Sequence, residues 1–149
     1  MPSDRERRPS RPPDRGPGPQ EAPHNKEDIA AVLSGDATKI DEIAERLANR
    51  LVPRINRTQV RNFYGPIAIV RTRTDPEERK KALRMHRSRL AYLVARAGGS
   101  ADELWNLFGK LLRTAEGPQI DAVCDLAEAV VAYHRYFDEK RGRGREESR

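Results

Sequence analysis

Residues 75–99, DPEERKKALRMHRSRLAYLVARAGG, decide the fold class. Asp75 is a helix-capping residue, and Pro76 suits a first turn, where its missing N–H has no helical partner to lose. Glu77 and Glu78 then face the positive end of the helix dipole. Leu83, Leu90, Leu93 and Val94 recur at helical spacing, and Gly98-Gly99 supplies the stop. The same period extends outward in both directions. Upstream, Ile40, Ile43, Ala44, Leu47 and Leu51 predict a helix ending at Pro53. Thr58 is the expected N-cap of another, carrying Val60, Phe63, Tyr64, Ile67 and Val70, which Gly65-Pro66 should kink or split. Downstream, Ser100-Ala101-Asp102-Glu103 reads as a capping box ahead of Leu104, Trp105, Phe108, Leu111 and Leu112. Beyond Gly117-Pro118, a last helix from about Gln119 to Lys140 turns Ile120, Val123, Cys124, Ala127, Val130, Val131 and Phe137 inward. No stretch alternates with a period of two. The predicted fold is all-α, a compact five-helix bundle.

The bundle is expected over residues 28–140. Residues 1–27 hold seven of the eleven prolines and, after Met1, no aliphatic side chain larger than alanine. Such a segment cannot bury enough surface to offset the entropy of ordering, so it reads as a disordered tail. Residues 141–149, with the Arg/Gly run Arg141-Gly142-Arg143-Gly144-Arg145, read as a frayed C-terminal tail. No apolar stretch resembles a secretory signal or approaches the roughly 20 residues that cross a bilayer, so no membrane partner is expected. A single cysteine, Cys124, allows neither an intrachain disulfide nor a cysteine zinc cluster, and a reducing cytoplasm fits best.

Charge is unevenly distributed. Between Arg54 and Arg96 stand twelve Lys/Arg against three acids, an excess of nine; with +6 overall, the remainder of the chain is net negative. A basic concentration within folded sequence points to a polyanion met by one face, making nucleic-acid binding the leading functional class. Arg54, Arg57 and Arg61 flank the start of one helix, where free backbone N–H groups also favour anions. Lys80, Arg84 and Arg87 recur at spacings of four and three, with Lys81 and Arg89 alongside. Guanidinium groups hold their charge and offer forked donors to phosphate. Arg96 lies close to the apolar side; it either pairs with Glu128, fixing helix packing, or contacts the ligand.

Catalysis finds little support. His24, His86 and His134 have no neighbours at metal-ligand spacing, and no paired carboxylates have an identifiable proton task. His134, beside Tyr133 and Tyr136, reads as a partly exposed packing residue. Cys124 sits among apolar neighbours, the setting of a buried structural thiol. No glycine loop follows a strand to cradle phosphates. No cofactor, metal or small-molecule substrate is expected.

Three blocks resemble a known family. Arg57-Thr58-Gln59-Val60-Arg61-Asn62-Phe63-Tyr64 is similar to the T-x-Q-x-R-x-F-Y segment of the small helical subunit of type III-A CRISPR effector assemblies, the Csm complexes. Arg89-Leu90-Ala91-Tyr92-Leu93-Val94-Ala95-Arg96 resembles that family's K-L-A-Y-x-x-A-R segment, with Arg89 in place of a typical lysine. Glu128-Ala129-Val130-Val131-Ala132-Tyr133-His134-Arg135-Tyr136-Phe137 resembles its E-A-[IV]-V-A-Y-H-[KR]-[YF] ending. The resemblance implies an all-helical, non-catalytic subunit of an antiviral ribonucleoprotein, stacked head to tail in several copies beside the larger subunits. Those copies would flank guide RNA paired with target RNA, through sugar–phosphate contacts indifferent to base identity. By position it carries RNA contact onto Arg57, Arg61 and Arg96, whereas Arg54, Lys80, Arg84 and Arg87 come from charge alone. Both tails lie outside it, and Gly65-Pro66 falls where the family segment leads one to expect smoother helix.

Two other classes compete. A helix-turn-helix DNA-binding regulator would present polar or basic residues at the start of its recognition helix, where this chain has Asp75, Pro76, Glu77 and Glu78. A helical scaffold would use its charge for solubility alone.

Overall fold

The computed structural model describes residues 23–97 and 101–147. Six helices follow one another: α1 (Pro23–Leu33), α2 (Ala37–Leu51), α3 (Arg57–Thr72), α4 (Pro76–Ala97), α5 (Asp102–Thr114) and α6 (Pro118–Glu147). There is no strand among the described residues, so the all-α expectation holds, with one helix more than the five predicted. The five predicted helices correspond to α2–α6. Helix α1 begins inside the 1–27 segment read as disordered; residues 1–22 lie outside the described residues. Its opening turns carry no aliphatic side chain, and only Ile29, Val32 and Leu33 reach the core. Too few apolar positions occur there to establish a period.

The turns explain the boundaries. Asp36 caps α2 by accepting from the Lys39 N–H at 3.1 Å, after Gly35 takes a left-handed φ of 77° that favours glycine. Helix α3 starts at Asn56 rather than Thr58: Asn56 accepts from the Gln59 N–H at 2.8 Å, and the Gln59 side chain accepts from the Asn56 N–H at 3.0 Å. Asp75 accepts from the Glu78 N–H at 3.0 Å, the cap expected for α4. Of the stop and cap expected around α5, Gly98, Gly99 and Ser100 lie outside the described residues. Glu103 is taken by Arg50 at 2.7 Å.

Gly65-Pro66 does not split α3. Pro66 removes the donor to the Asn62 carbonyl, yet Val60, Phe63, Ile67 and Val70 are buried on both sides of it. The packing of that stripe carries the helix through. The C-terminal expectation also differs, because α6 stays helical to Glu147 instead of fraying from residue 141.

Helix α6 runs between α2 and α3, α4 packs against α3 and α5, and α1 crosses α2, α5 and α6. The core is aliphatic with few aromatics; Phe108 meets Phe63 edge-on, with centroids 5.1 Å apart. Two histidines tie elements together, His86 of α4 to α3 and His134 of α6 to the α2–α3 turn. His86 is buried with Nε2 2.8 Å from the Phe63 carbonyl, and His134, expected to be partly exposed, is buried with Nε2 2.7 Å from the Ile55 carbonyl. A carbonyl only accepts, so each Nε2 carries the proton and donates. The Cys124 thiol is buried, points at the Ile67 carbonyl, and is pushed up in pKa mainly by that burial.

Candidate nucleic-acid interface

The basic stretch divides into cations held within the fold and cations that project from it. Arg84 and Arg87 belong to the first group. Arg84 donates to the carbonyls of Ala115 and Leu112 at 2.9 and 3.2 Å, closing the C-terminal end of α5. Its positive charge there also opposes the negative end of that helix dipole. Arg87 donates from Nε to the Gly109 carbonyl at 2.8 Å, and its guanidinium lies 4.6 Å from the Trp105 ring centroid. Lys80 approaches Glu116 at 3.9 Å. The expected phosphate-binding row Lys80–Arg84–Arg87 is therefore the flank of α4 that α5 covers.

Arg57 is also engaged. Its Nε donates to Asp138 at 2.6 Å, and Nη2 stands 3.6 Å from Glu139. Arg71 joins the N-terminal half of α6 by hydrogen-bonding the Asp125 carboxylate and the Asp121 carbonyl, with Glu128 at 3.6 Å. The Asp125 bond is the main reason its pKa rises. Arg79 reaches the Asp121 carboxylate at 2.6 Å. Glu128 thus serves Arg71, so the Arg96–Glu128 alternative is not realised.

Among the described residues, Arg54, Arg61, Lys81 and Arg89 are exposed and make no side-chain hydrogen bond or ion pair. Arg96 is exposed too, bonded through Nη1 to the Tyr92 hydroxyl at 3.0 Å and to no carboxylate. Of the seven candidates, Arg54, Arg61 and Arg96 project outward, while Arg57, Lys80, Arg84 and Arg87 have internal partners. Lys110 and Arg113 of α5, outside the basic stretch, are exposed as well.

Lys81 and Arg89 line a groove of about 640 Å³ between α3 and α4. Pro66, Ile69, Val70, Ala82, Met85 and His86 supply its apolar side, and Glu78, 3.7 Å from Arg73, is its acid. Arg61 lies on the other flank of α3, beside a small hollow shared with Arg57, His134 and Arg135. Sequence reasoning set Lys81 and Arg89 beside the main row instead of choosing them. Taking Leu83, His86 and Leu90 as the buried line, the Lys80–Arg84–Arg87 and Lys81–Met85–Arg89 rows lie on opposite flanks, offset by about 95° and about 135°. The helix pattern alone cannot say which flank α5 covers.

No group of three His, Cys, Asp or Glu side chains able to hold a metal occurs among the described residues. None of their helices is long and apolar enough to cross a membrane. What the arrangement offers is a groove edged by the exposed cations Lys81 and Arg89, with Arg54, Arg61 and Arg96 exposed elsewhere on the surface.

No curated protein matches the chain, and no solved structure does. The family model described as Csm2 Type III-A matches residues 34–140, more than two-thirds of the sequence, from the turn before α2 to within α6. With the helical fold it accompanies, that match places the chain in the Csm2 Type III-A family, the small structural subunit of the type III-A CRISPR complex.

Proposed function

We propose that this subunit is non-catalytic and holds RNA by its sugar–phosphate backbone, in several copies set head to tail along guide RNA paired with target RNA, in antiviral defence. One observation carries the reading. In a member of this family, Arg54, Arg61, Lys81, Arg89 and Arg96 project from the α2–α3 turn, α3 and α4 with no carboxylate partner among the described residues. Cations kept out of internal pairs remain available to phosphates. Their guanidinium and ammonium groups recognise charge and not base edges, which suits a subunit repeated along an arbitrary sequence. Arg57 joins the set when a phosphate displaces Asp138, and Lys80, Arg84 and Arg87 support the surface from behind.

Binding measured against unrelated RNAs over a range of salt concentrations tests this. Four or five neutralised phosphates give a single-strand log–log slope of about −3, the same for every sequence. Reversing Arg61 and Arg89 to glutamate should weaken binding and flatten that slope while leaving the helical circular-dichroism signal unchanged. A strong preference for one duplex DNA site would instead establish the helix-turn-helix regulator. Salt-insensitive behaviour would leave only a scaffold.

A further inference from the structure

We infer that the outer face of α4 is a stacking track for unpaired RNA nucleotides, with Tyr92 and Met85 taking base faces while Lys81, Arg89 and Arg96 take the intervening phosphates. The inference rests on the RNA reading above and adds base-face contact to it. Tyr92 and Met85 are 65% and 64% exposed, and Ile69 across the groove is 57% exposed. Met85 and Tyr92 stand about two turns apart on one face of α4, and Ile69 lies across the groove from Met85.

The order along the helix indicates which partner. Met85 lies four residues from both Lys81 and Arg89, and Tyr92 lies three from Arg89 and four from Arg96. Each exposed apolar group is thus bracketed, one turn away on either side, by a cation. The track from Lys81 to Arg96 is about 22 Å long at the helical rise. A docked protein helix would call for contiguous apolar anchors with charge moved to the rim, and lysine is depleted from such interface cores. A single nucleic-acid strand alternates apolar faces with anions, and aromatic platforms set among cations are how such strands are held without regard to sequence.

The geometry fits that occupant. Arg96 bonds the Tyr92 hydroxyl at 3.0 Å and lies 5.7 Å from the ring centroid, steadying the ring while leaving most of it open. The groove beside Met85, at about 640 Å³, has room for a base above Ile69 and Pro66. The acid at that groove, Glu78, stands beside Arg73. A base inside a duplex has both faces covered by its neighbours, so the track distinguishes unpaired nucleotides from paired ones.

The test compares a short oligouridine with an abasic strand of the same phosphate count, using the wild-type chain, Y92A/M85A, Y92F and R61E/R89E. The intact strand should bind about 5- to 100-fold more tightly than the abasic one. Y92A/M85A should erase that difference without changing the salt slope, and Y92F, which keeps the ring and loses the hydroxyl, should retain it. A 5-iodouridine strand should photocrosslink to Tyr92. Equal affinity for intact and abasic strands, with R61E/R89E still weakening both, would overturn stacking and leave backbone binding standing. Loss of salt-sensitive binding to every strand would remove the RNA reading and this inference with it. If Y92A/M85A kept full RNA affinity but no longer entered the effector assembly, the track would be a protein contact.

Discussion

The guanidinium of Arg87 is held between two parts of α5, its Nε on the Gly109 carbonyl at 2.8 Å and its plane 4.6 Å from the Trp105 centroid. Gly109 has no side chain to obstruct this arrangement; a Cβ there would come within 3.3 Å of the Trp105 ring. Arg87 therefore fastens α4 to α5. Replacing it with alanine should destabilise the fold by about 1–3 kcal/mol, through a lost charged hydrogen bond and the exposed ring. Lysine should not restore it, since a compact ammonium cannot both stack on the ring and donate from a fixed plane. Urea denaturation followed by Trp105 fluorescence checks both. A folded R87A chain that loses most of its RNA affinity would show that Arg87 reaches RNA directly.

Arg57 and Arg61 stand one turn apart in the same motif, yet their environments differ. Arg57 donates to Asp138, whereas Arg61 has no such partner among the described residues. Reversal of Arg57 to glutamate should lower stability, because it sets a carboxylate against Asp138 and Glu139, and should also reduce RNA affinity. Reversal of Arg61 should reduce RNA affinity alone. The Arg57–Asp138 pair is partly exposed, so a double-mutant cycle should find a coupling of only about 0–1 kcal/mol. Thermal melts and salt-dependent binding on the same proteins separate the two effects.

Helix α1 packs against α2, α5 and α6. Val32 is fully buried, and Asp28 accepts from Arg46 of α2 at 2.6 Å. The helix is thus part of the packed domain, although it precedes residue 34, where the family match begins. Val32→Ala should cost about 1–2 kcal/mol, in line with two buried methyl groups. Deleting residues through Leu33 should lower the melting temperature by more than that substitution does. A deletion that left the melting temperature unchanged would show α1 to be dispensable.

The helices were legible from their apolar period more than from their caps, since α4 opens at the predicted cap whereas α3 opens at Asn56 and not at Thr58. Asp75-Pro76-Glu77-Glu78 opens α4 as read, and the core positions of α2 and α6 match the predicted apolar spacing. Helix α1 was not legible, since three apolar residues are packed there by α2 and α6 and not by any pattern of their own. Charge was the least legible property. The excess of positive residues between Arg54 and Arg96 faces acids supplied from farther along the chain: Asp121, Asp125 and Glu128 for Arg71 and Arg79, Asp138 and Glu139 for Arg57, Glu116 for Lys80 and Arg84. Segregation of charge in sequence thus serves internal pairing. Only folding shows which cations are left over, and α4 presents two basic flanks between which the pattern could not choose.

His86 links α3 to the floor of the groove, and its protonation state makes stability depend on pH. Burial is the main cause of its lowered pKa; the bond to the Phe63 carbonyl works the other way, and the nearby Arg89 charge adds to the lowering. The unfolded chain therefore binds a proton near 6.5 that the folded chain resists. By linkage, stability rises with pH in that range: the contribution of neutral His86 is complete above the unfolded pKa and is lost as pH falls below it. Denaturation midpoints should decline as pH falls from 7 toward 5. His86→Asn should flatten the decline, because asparagine can donate to the Phe63 carbonyl without titrating. An H86N profile as steep as the wild type would place the acid sensitivity in the carboxylates of α6 instead.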